Sequence, residues 1–276
     1  MSNYSQQMKR QLETYKLERL GVKESGTFLF RGREITRAHI LPQALAWLNI
    51  LEPIRREVQS YLRGHPQIAL HEYFHHLNSS QAFALNLFFP FFEAGLGEVL
   101  LEAMGLPADC AGWEFEHIAD NREGTNADVT WHATTGVRTY CEVKLTEQKF
   151  GHAKDDSRHR TKLTEIYRPV LAGVVAAELL EPAPFFANYQ ILRNVWLAAR
   201  SERDAVVFLL PRANAGLWTQ LDPVLSQLSP QMGPQVHVVA VEDVLDALAQ
   251  SQRLPARLAS LLVSVREKYL LAPTPN

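Results

Sequence analysis

The sequence predicts an α/β protein, and three observations carry that prediction. Three segments in the middle of the chain, 113–118, 127–133 and 137–145, alternate apolar and polar residues with a period of two, as half-buried strands do. Two later runs, "AVVFLLP" (205–211) and "VHVVAV" (236–241), are continuously apolar, which suits strands buried on both faces. Helical spacing separates them, so that from residue 91 the order reads α, β, β, β, α, α, β, α, β, α.

The chain has 276 residues, of which 46% are hydrophobic and 21% charged, enough for one large core or two modest domains and unlike a disordered or fibrous sequence. We expect residues 1–77 to form a mostly helical region packed on a core built from 78–276. No apolar run approaches the ~18–20 residues that span a bilayer, and "MSNYSQQMKRQLETYK" lacks the apolar middle of a secretory signal, so no membrane partner and a cytoplasmic location are expected. Cys110 and Cys141 are too few for a disulfide scaffold and lack zinc-site spacing; they read as buried small hydrophobes. With a net charge of −2, any nucleic-acid surface has to be a local patch.

Taken in order, "TFLFRGREI" reads as a hairpin turning at Arg31 and Gly32, and "ALAWLNILEPIRREVQSYL" as helix broken or kinked at Pro53. Asn78 or Ser79 caps a buried apolar helix that Pro90 interrupts, and "FFEAGLGEVLLEAMGL" continues as a second helix. After the three alternating segments come a polar basic stretch (149–162), a helix over about 163–180, and another across "FFANYQILRNVWLAAR".

Within 137–145, Arg138, Tyr140, Glu142 and Lys144 share one face and Val137, Cys141, Val143 and Leu145 the other; within 127–133, Asp128, Thr130 and His132 lie opposite Val129 and Trp131. Opposed residues of an antiparallel pair point to the same side, so the apolar sets meet only in registers whose opposed numbers have an even sum. A three-residue loop "TTG" (134–136), with Gly136 in the left-handed position, pairs Ala133 with Val137 and therefore Asp128 with Glu142. Opposed carboxylates cost something on the order of 0.2–1 kcal/mol. A shared divalent cation explains them, because magnesium is commonly held by one or two carboxylates plus water and phosphate oxygen. Lys144 would then lie beside the metal-bound water and the scissile phosphate.

An Asp on one hairpin strand and Glu-x-Lys on the next, preceded by a helix and followed by helix and buried strand, resembles the PD-(D/E)XK nuclease superfamily, whose restriction-endonuclease-like core is an αβββαβ unit with a mixed sheet flanked by helices. The architectural resemblance covers roughly residues 91–211. "HHLNSSQAFALNLF", "EVKLTEQKFG" and "YQILRN" further resemble restriction endonuclease-like bacterial members of that superfamily. The resemblance implies a magnesium-dependent deoxyribonuclease, with manganese as substitute: Asp128 and Glu142 as metal ligands, Lys144 as the catalytic lysine, and the Val143 carbonyl as a further ligand. Ala127 stands where the nominal motif has Pro. DNA is the implied partner, RNA and a homodimer being compatible with it.

Other residues are candidates for the same site. Glu98, or Glu93 or Glu102 in its place, is the helix-borne acid that many superfamily members direct at the metal. Glu116, sharing a strand face with Glu114, is a candidate to complete the surroundings of the metal. Gln190, with Tyr189 and Arg193, lies on the helix where this fold presents a polar residue to the site. Glu147, Gln148 and Lys149, and the basic residues Lys154, Arg158, Arg160 and Lys162, read either as phosphate contacts or as solvated loop. Two rivals stand beside the nuclease: a binding module of the same fold with a degraded site, and a zinc peptidase through His71, Glu72 and His75, which formally match H-E-x-x-H.

Overall fold

The structure, a computed structural model, describes residues 4–271. The chain forms two compact units: one gathers the residues through Ala108 and those from Val241 on, and the other runs from Asp109 to Ala240.

The first unit holds helix α1 (Tyr4–Glu18), a hairpin of β1 (Gly26–Phe30) and β2 (Arg33–Arg37), helices α2 (Glu52–Gly64), α3 (Ser80–Glu93) and α4 (Gly97–Ala103), and the last two helices, α10 (Val241–Gln250) and α11 (Ala256–Tyr269). The hairpin turns where expected: Phe30 pairs with Arg33 across Arg31 and Gly32, both at positive φ. The helical run is broken at Pro53 as expected: a 3-10 turn (Gln43–Asn49) ends before Ile50 and Leu51, and Pro53 then stands in the first turn of α2, where its missing N–H costs nothing. The expectation for Pro90 needs correction. Pro90 lies inside α3, which continues to Glu93, and the chain leaves helix through Gly95 at φ 66°. Ser79 caps α3 through the N–H of Ala82. Because α3 packs on α2, α4 and α11, the division of the chain falls at 108/109, not at the expected 77/78, and α10 and α11 return to the first unit.

The second unit is built on a five-stranded sheet in the order β3 (Gly112–Ile118), β4 (Asn126–His132), β5 (Arg138–Val143), β6 (Ala205–Leu210), β7 (Val236–Ala240). β3, β4 and β5 are antiparallel neighbours; β5, β6 and β7 are parallel. Helical segments fill the crossover from β5 to β6: α5 (Ser157–Lys162), a π-helical stretch Leu163–Tyr167, α6 (Arg168–Leu171), α7 (Pro182–Ala187) and α8 (Tyr189–Ala199). Helix α9 (Ala215–Leu225) joins β6 to β7. This is the mixed, helix-flanked sheet of a restriction-endonuclease-like fold. The helix expected over 163–180 instead begins at Ser157 and stops near Gly173, at φ 80°, and the one expected through "FFANYQILRN" is split at Asn188.

The hairpin register is the one the loop chemistry requires. Val129 pairs with Cys141 and His132 with Arg138, the Ala133 N–H donates to the Val137 carbonyl, and Gly136 takes φ 80°. Val129, Trp131, Cys141, Val143, Val207 and Leu209 are buried on one face. The opposite face, polar by sequence, is also covered. Tyr140, Val206, Phe208 and Leu210 pack there beneath Ile191, Leu192, Val195 and Trp196 of α8. The burial of that face is what turns a polar pair into a site.

Candidate active site

Glu142 has a side chain only 2% exposed, and a carboxylate so buried is tolerable only if its lone pairs are filled. Four donors fill them. Oε1 accepts from Gln190 Nε2 at 2.6 Å and lies 2.9 Å from Lys144 Nζ; Oε2 accepts from Arg193 Nη2 at 3.0 Å and Asn194 Nδ2 at 2.8 Å. Gln190, Arg193 and Asn194 stand at i, i+3 and i+4, one stripe of α8, so a single helix face delivers three of the four. Burial works to raise the Glu142 pKa, but Lys144 and Arg193 outweigh it and hold the carboxyl below the ordinary glutamate range.

Asp128 follows Ala127 at the start of β4, and continuing the ladder one step past Val129 and Cys141 sets it across from Glu142. Its Oδ2 accepts from the Val143 N–H at 2.7 Å. Oδ1 has no protein hydrogen bond among the described residues. Burial first and the Glu142 charge second push the Asp128 carboxyl well above the ordinary aspartate range.

The third acid in this row is Glu116. Phe115 pairs with Val129 and His117 with Ala127, so Glu116 falls opposite Asp128, and its charge raises Asp128 further. Glu116 is 7% exposed and sits at φ 52°, a left-handed conformation that non-glycine residues rarely adopt. Glu114, opposite Thr130, is exposed and bonded to His117 at 2.9 Å. Asn126 Nδ2 donates to Glu116 Oε2 at 3.1 Å.

Lys144, just past the end of β5, is 8% exposed. Burial disfavours its charge, yet Glu142, Glu147 and Asp128 outweigh burial and raise its pKa above the ordinary lysine value. It is therefore a cation and not a base. The loop beyond it is tied down: Glu147 accepts from the Leu145 N–H, and Asn214 Nδ2 donates to the Leu145 and Glu147 carbonyls. Gln190 grips Gly151 twice, its side-chain oxygen taking the Gly151 N–H at 2.7 Å and its backbone N–H giving to the Gly151 carbonyl.

Glu98 belongs to the first unit, where it is exposed, with its carboxylate 3.9 Å from Arg253, which also binds Glu102. Of the basic stretch, Arg160 pairs with Asp155 and Lys162 with Glu123. Residues 72–75 form turns rather than helix, so His71 and His75 do not share a helical face, and His75 Nε2 is bonded to the Thr27 carbonyl.

Two contributors escaped sequence reasoning. Asn194 was signalled only by its four-residue spacing from Gln190. Glu123, 4% exposed, accepts from the hydroxyls of Tyr167 and Tyr189 at 2.6 and 2.7 Å, which fastens the 119–125 turn to the first residue of α8. Burial works to raise the Glu123 pKa, but hydrogen bonds from Thr125 and the two tyrosine hydroxyls, with the Lys162 charge, outweigh it and hold the carboxyl below its ordinary range, and burial pushes the Tyr189 phenol up to about 12.

A family model described as a restriction endonuclease associating with ARP matches residues 6–270. The chain belongs to that family. No curated protein and no solved structure matches it. The family's description points to a nuclease-like function for the chain, and the acids fit a cation on their own chemistry. Asp128 keeps an uncommitted oxygen and a repelled charge, and a cation at Glu142 Oε1 would take the place of one donor. No group of three His, Cys, Asp or Glu side chains forms a cage among the described residues, so such a cation would have to complete its shell with backbone and water. Arg193 Nε and Thr130 Oγ1 are buried without a partner, leaving two polar groups beside the acids for water or substrate. In this REase-ARP chain no described helix is long and apolar enough to cross a membrane.

Proposed function

We propose that this chain is a metal-dependent nuclease that hydrolyses phosphodiester bonds of DNA. One observation carries the reading: Asp128, Glu142 and a fully charged Lys144 converge at one end of the sheet, with the acids repelling each other and the lysine held as a cation. Asp128 and Glu142 would hold magnesium, or manganese in its place, with the Val143 carbonyl as third protein ligand and Glu116 behind Asp128. Such an ion, when bound, supplies Lewis-acid polarisation of the phosphate and a more acidic water.

The remaining work belongs to the chain. Lys144 neutralises charge developing on the phosphate and orients the attacking water, a fixed charge in a dry setting being worth far more than one in solvent. Gln190, Arg193 and Asn194 hold Glu142 in one rotamer. A cytoplasmic deoxyribonuclease is the form we propose, DNA rather than RNA resting on the family's restriction-endonuclease description.

One observation favours a second reading, a binding module that does not cut: Glu142 already has four protein donors, as an inert site would. Incubating the protein with plasmid and linear DNA, with magnesium and with excess chelator, separates them. Cleavage that needs the metal supports the nuclease. Binding without cleavage under every metal tried supports the module, and hydrolysis undiminished in chelator would overturn the metal assignment.

A further inference from the structure

A cavity of about 680 Å3 opens in the second unit between the segment after β5, the end of α7 and the first turns of α9. Its volume falls within the ~300–1,000 Å3 of small-molecule sites. Phe150, Phe186 and Ala187 give it apolar lining, while Lys149, Asn188 and Thr219 bring polar atoms to its wall. Asn188 uses its amide nitrogen on the Pro184 carbonyl, which leaves Oδ1 facing no protein donor among the described residues. The rim acid, Asp155, is held by Arg160 at 2.5 and 2.9 Å, whereas Lys149 has no ion pair among the described residues. The unneutralised charge at the rim is therefore positive.

The cavity adjoins the acids. Lys144 Nζ lies 5.9 Å from the centroid of the Phe150 ring, and Gly151, the next residue, is bonded through Gln190 to Glu142. A nucleotide is longer than that separation. A strand with one phosphate at Lys144 would thus bring a neighbouring base to the cavity.

We infer that this cavity takes an unpaired nucleobase of the bound DNA strand, beside the phosphate that is cut; the inference rests on the nuclease reading. The base would lay its face on the apolar lining and its polar edge on Asn188 and Thr219, with the adjoining phosphate at Lys149. A base inside a duplex cannot enter such a recess, so the strand is single or locally opened there.

The test fills the cavity from two exposed positions, Thr219→Trp and Ala187→Trp, each checked for an unchanged melting temperature. The probe is a single-stranded DNA oligonucleotide carrying one 2-aminopurine, titrated in chelator. Wild type should change the probe's fluorescence on binding; both variants should lose that change and bind about 10-fold more weakly, as removal of a base contact does. Lys149→Ala should lower the salt slope of binding by about one. Manganese titration of the tryptophan variants should match wild type, since Asp128 and Glu142 are untouched. Equal binding and an unchanged signal in the filled variants would overturn the base site, as would no binding by wild type. If wild type binds and shows the signal but cleaves nothing, the nuclease reading falls and the base site stands. If cleavage needs the metal and filling the cavity changes nothing, the base site falls and the nuclease stands.

Discussion

Lys144 Nζ and Glu142 Oε1 lie 2.9 Å apart, two residues separated by one pleat, both nearly closed to solvent. Glu142 raises the Lys144 pKa and Lys144 lowers that of Glu142, so each charge favours the other. An alkaline loss of activity should therefore not belong to Lys144.

Lys144→Ala should separate binding from turnover. The metal is assigned to its neighbours, so manganese affinity should stay within a few-fold of wild type, while turnover falls by roughly 10²-fold or more, the loss typical of one electrostatic stabiliser. Single-turnover cleavage beside metal titration measures both. Near-normal cleavage would remove Lys144 from catalysis.

Metal affinity should rise with pH. Asp128 must be ionised to bind a cation, and its proton is held more tightly than in an ordinary aspartate, so affinity climbs as pH rises through that raised value and binding releases a proton. Calorimetry in buffers of differing ionisation enthalpy counts the proton. Release of none, with affinity flat from acid to neutral pH, contradicts the assignment.

Asp128→Asn should stabilise the protein in chelator. A carboxyl whose folded pKa is raised contributes least once pH has passed that value, because burial first and the Glu142 and Glu116 charges next disfavour the ionised form. Relieving about 1 kcal/mol corresponds to roughly 2–4 °C in a chain of this size. The same variant should lose any melting-temperature gain from manganese. A less stable variant that keeps the metal response would exclude the opposed-acid account.

Asn194→Ala should destabilise by about 1.5–3 kcal/mol, the range for a hydrogen bond to a charged group. Asn194 is 1% exposed and binds Glu142, whose folded pKa lies below its ordinary value; that contribution is present above the ordinary pKa and fades as pH falls through the folded one. Urea denaturation of both proteins at neutral and acid pH should show the gap narrowing on acidification. A constant gap would assign Asn194 to packing.

The hairpin was legible because two local rules agree: parity of the apolar faces and a Gly-ended three-residue loop admit one register, and the pleat then sets Glu142 beside Lys144. Its burial was not. Alternation at 140–144 reads as a solvated face, and only the distant stripe Gln190, Arg193, Asn194 reveals that it is covered. Glu123 sits in "DNREGTNA", a stretch without periodicity, so nothing near it announces that two tyrosines on later segments will close on it. Pro90 misled for a related reason, since a proline's cost depends on its place within the helix. No local feature marks α10 and α11 as returning to the first unit.

That return orders events during synthesis. Gln11 in α1 donates to the backbone carbonyl of Glu267 at 3.1 Å, a contact between residues 256 positions apart. Residues 109–240 emerge from a ribosome as an uninterrupted piece with all five strands of their sheet, whereas the earlier segment must wait for α10 and α11 to arrive. During that wait the almost wholly apolar α3 lacks α11, one of its packing partners, and contacts of such long sequence separation form slowly. Nascent chains of this protein should therefore depend on holdase chaperones most strongly just before the codons for α10 and α11 are translated, and a premature stop there should yield a chain with a formed sheet that aggregates through its amino-terminal half.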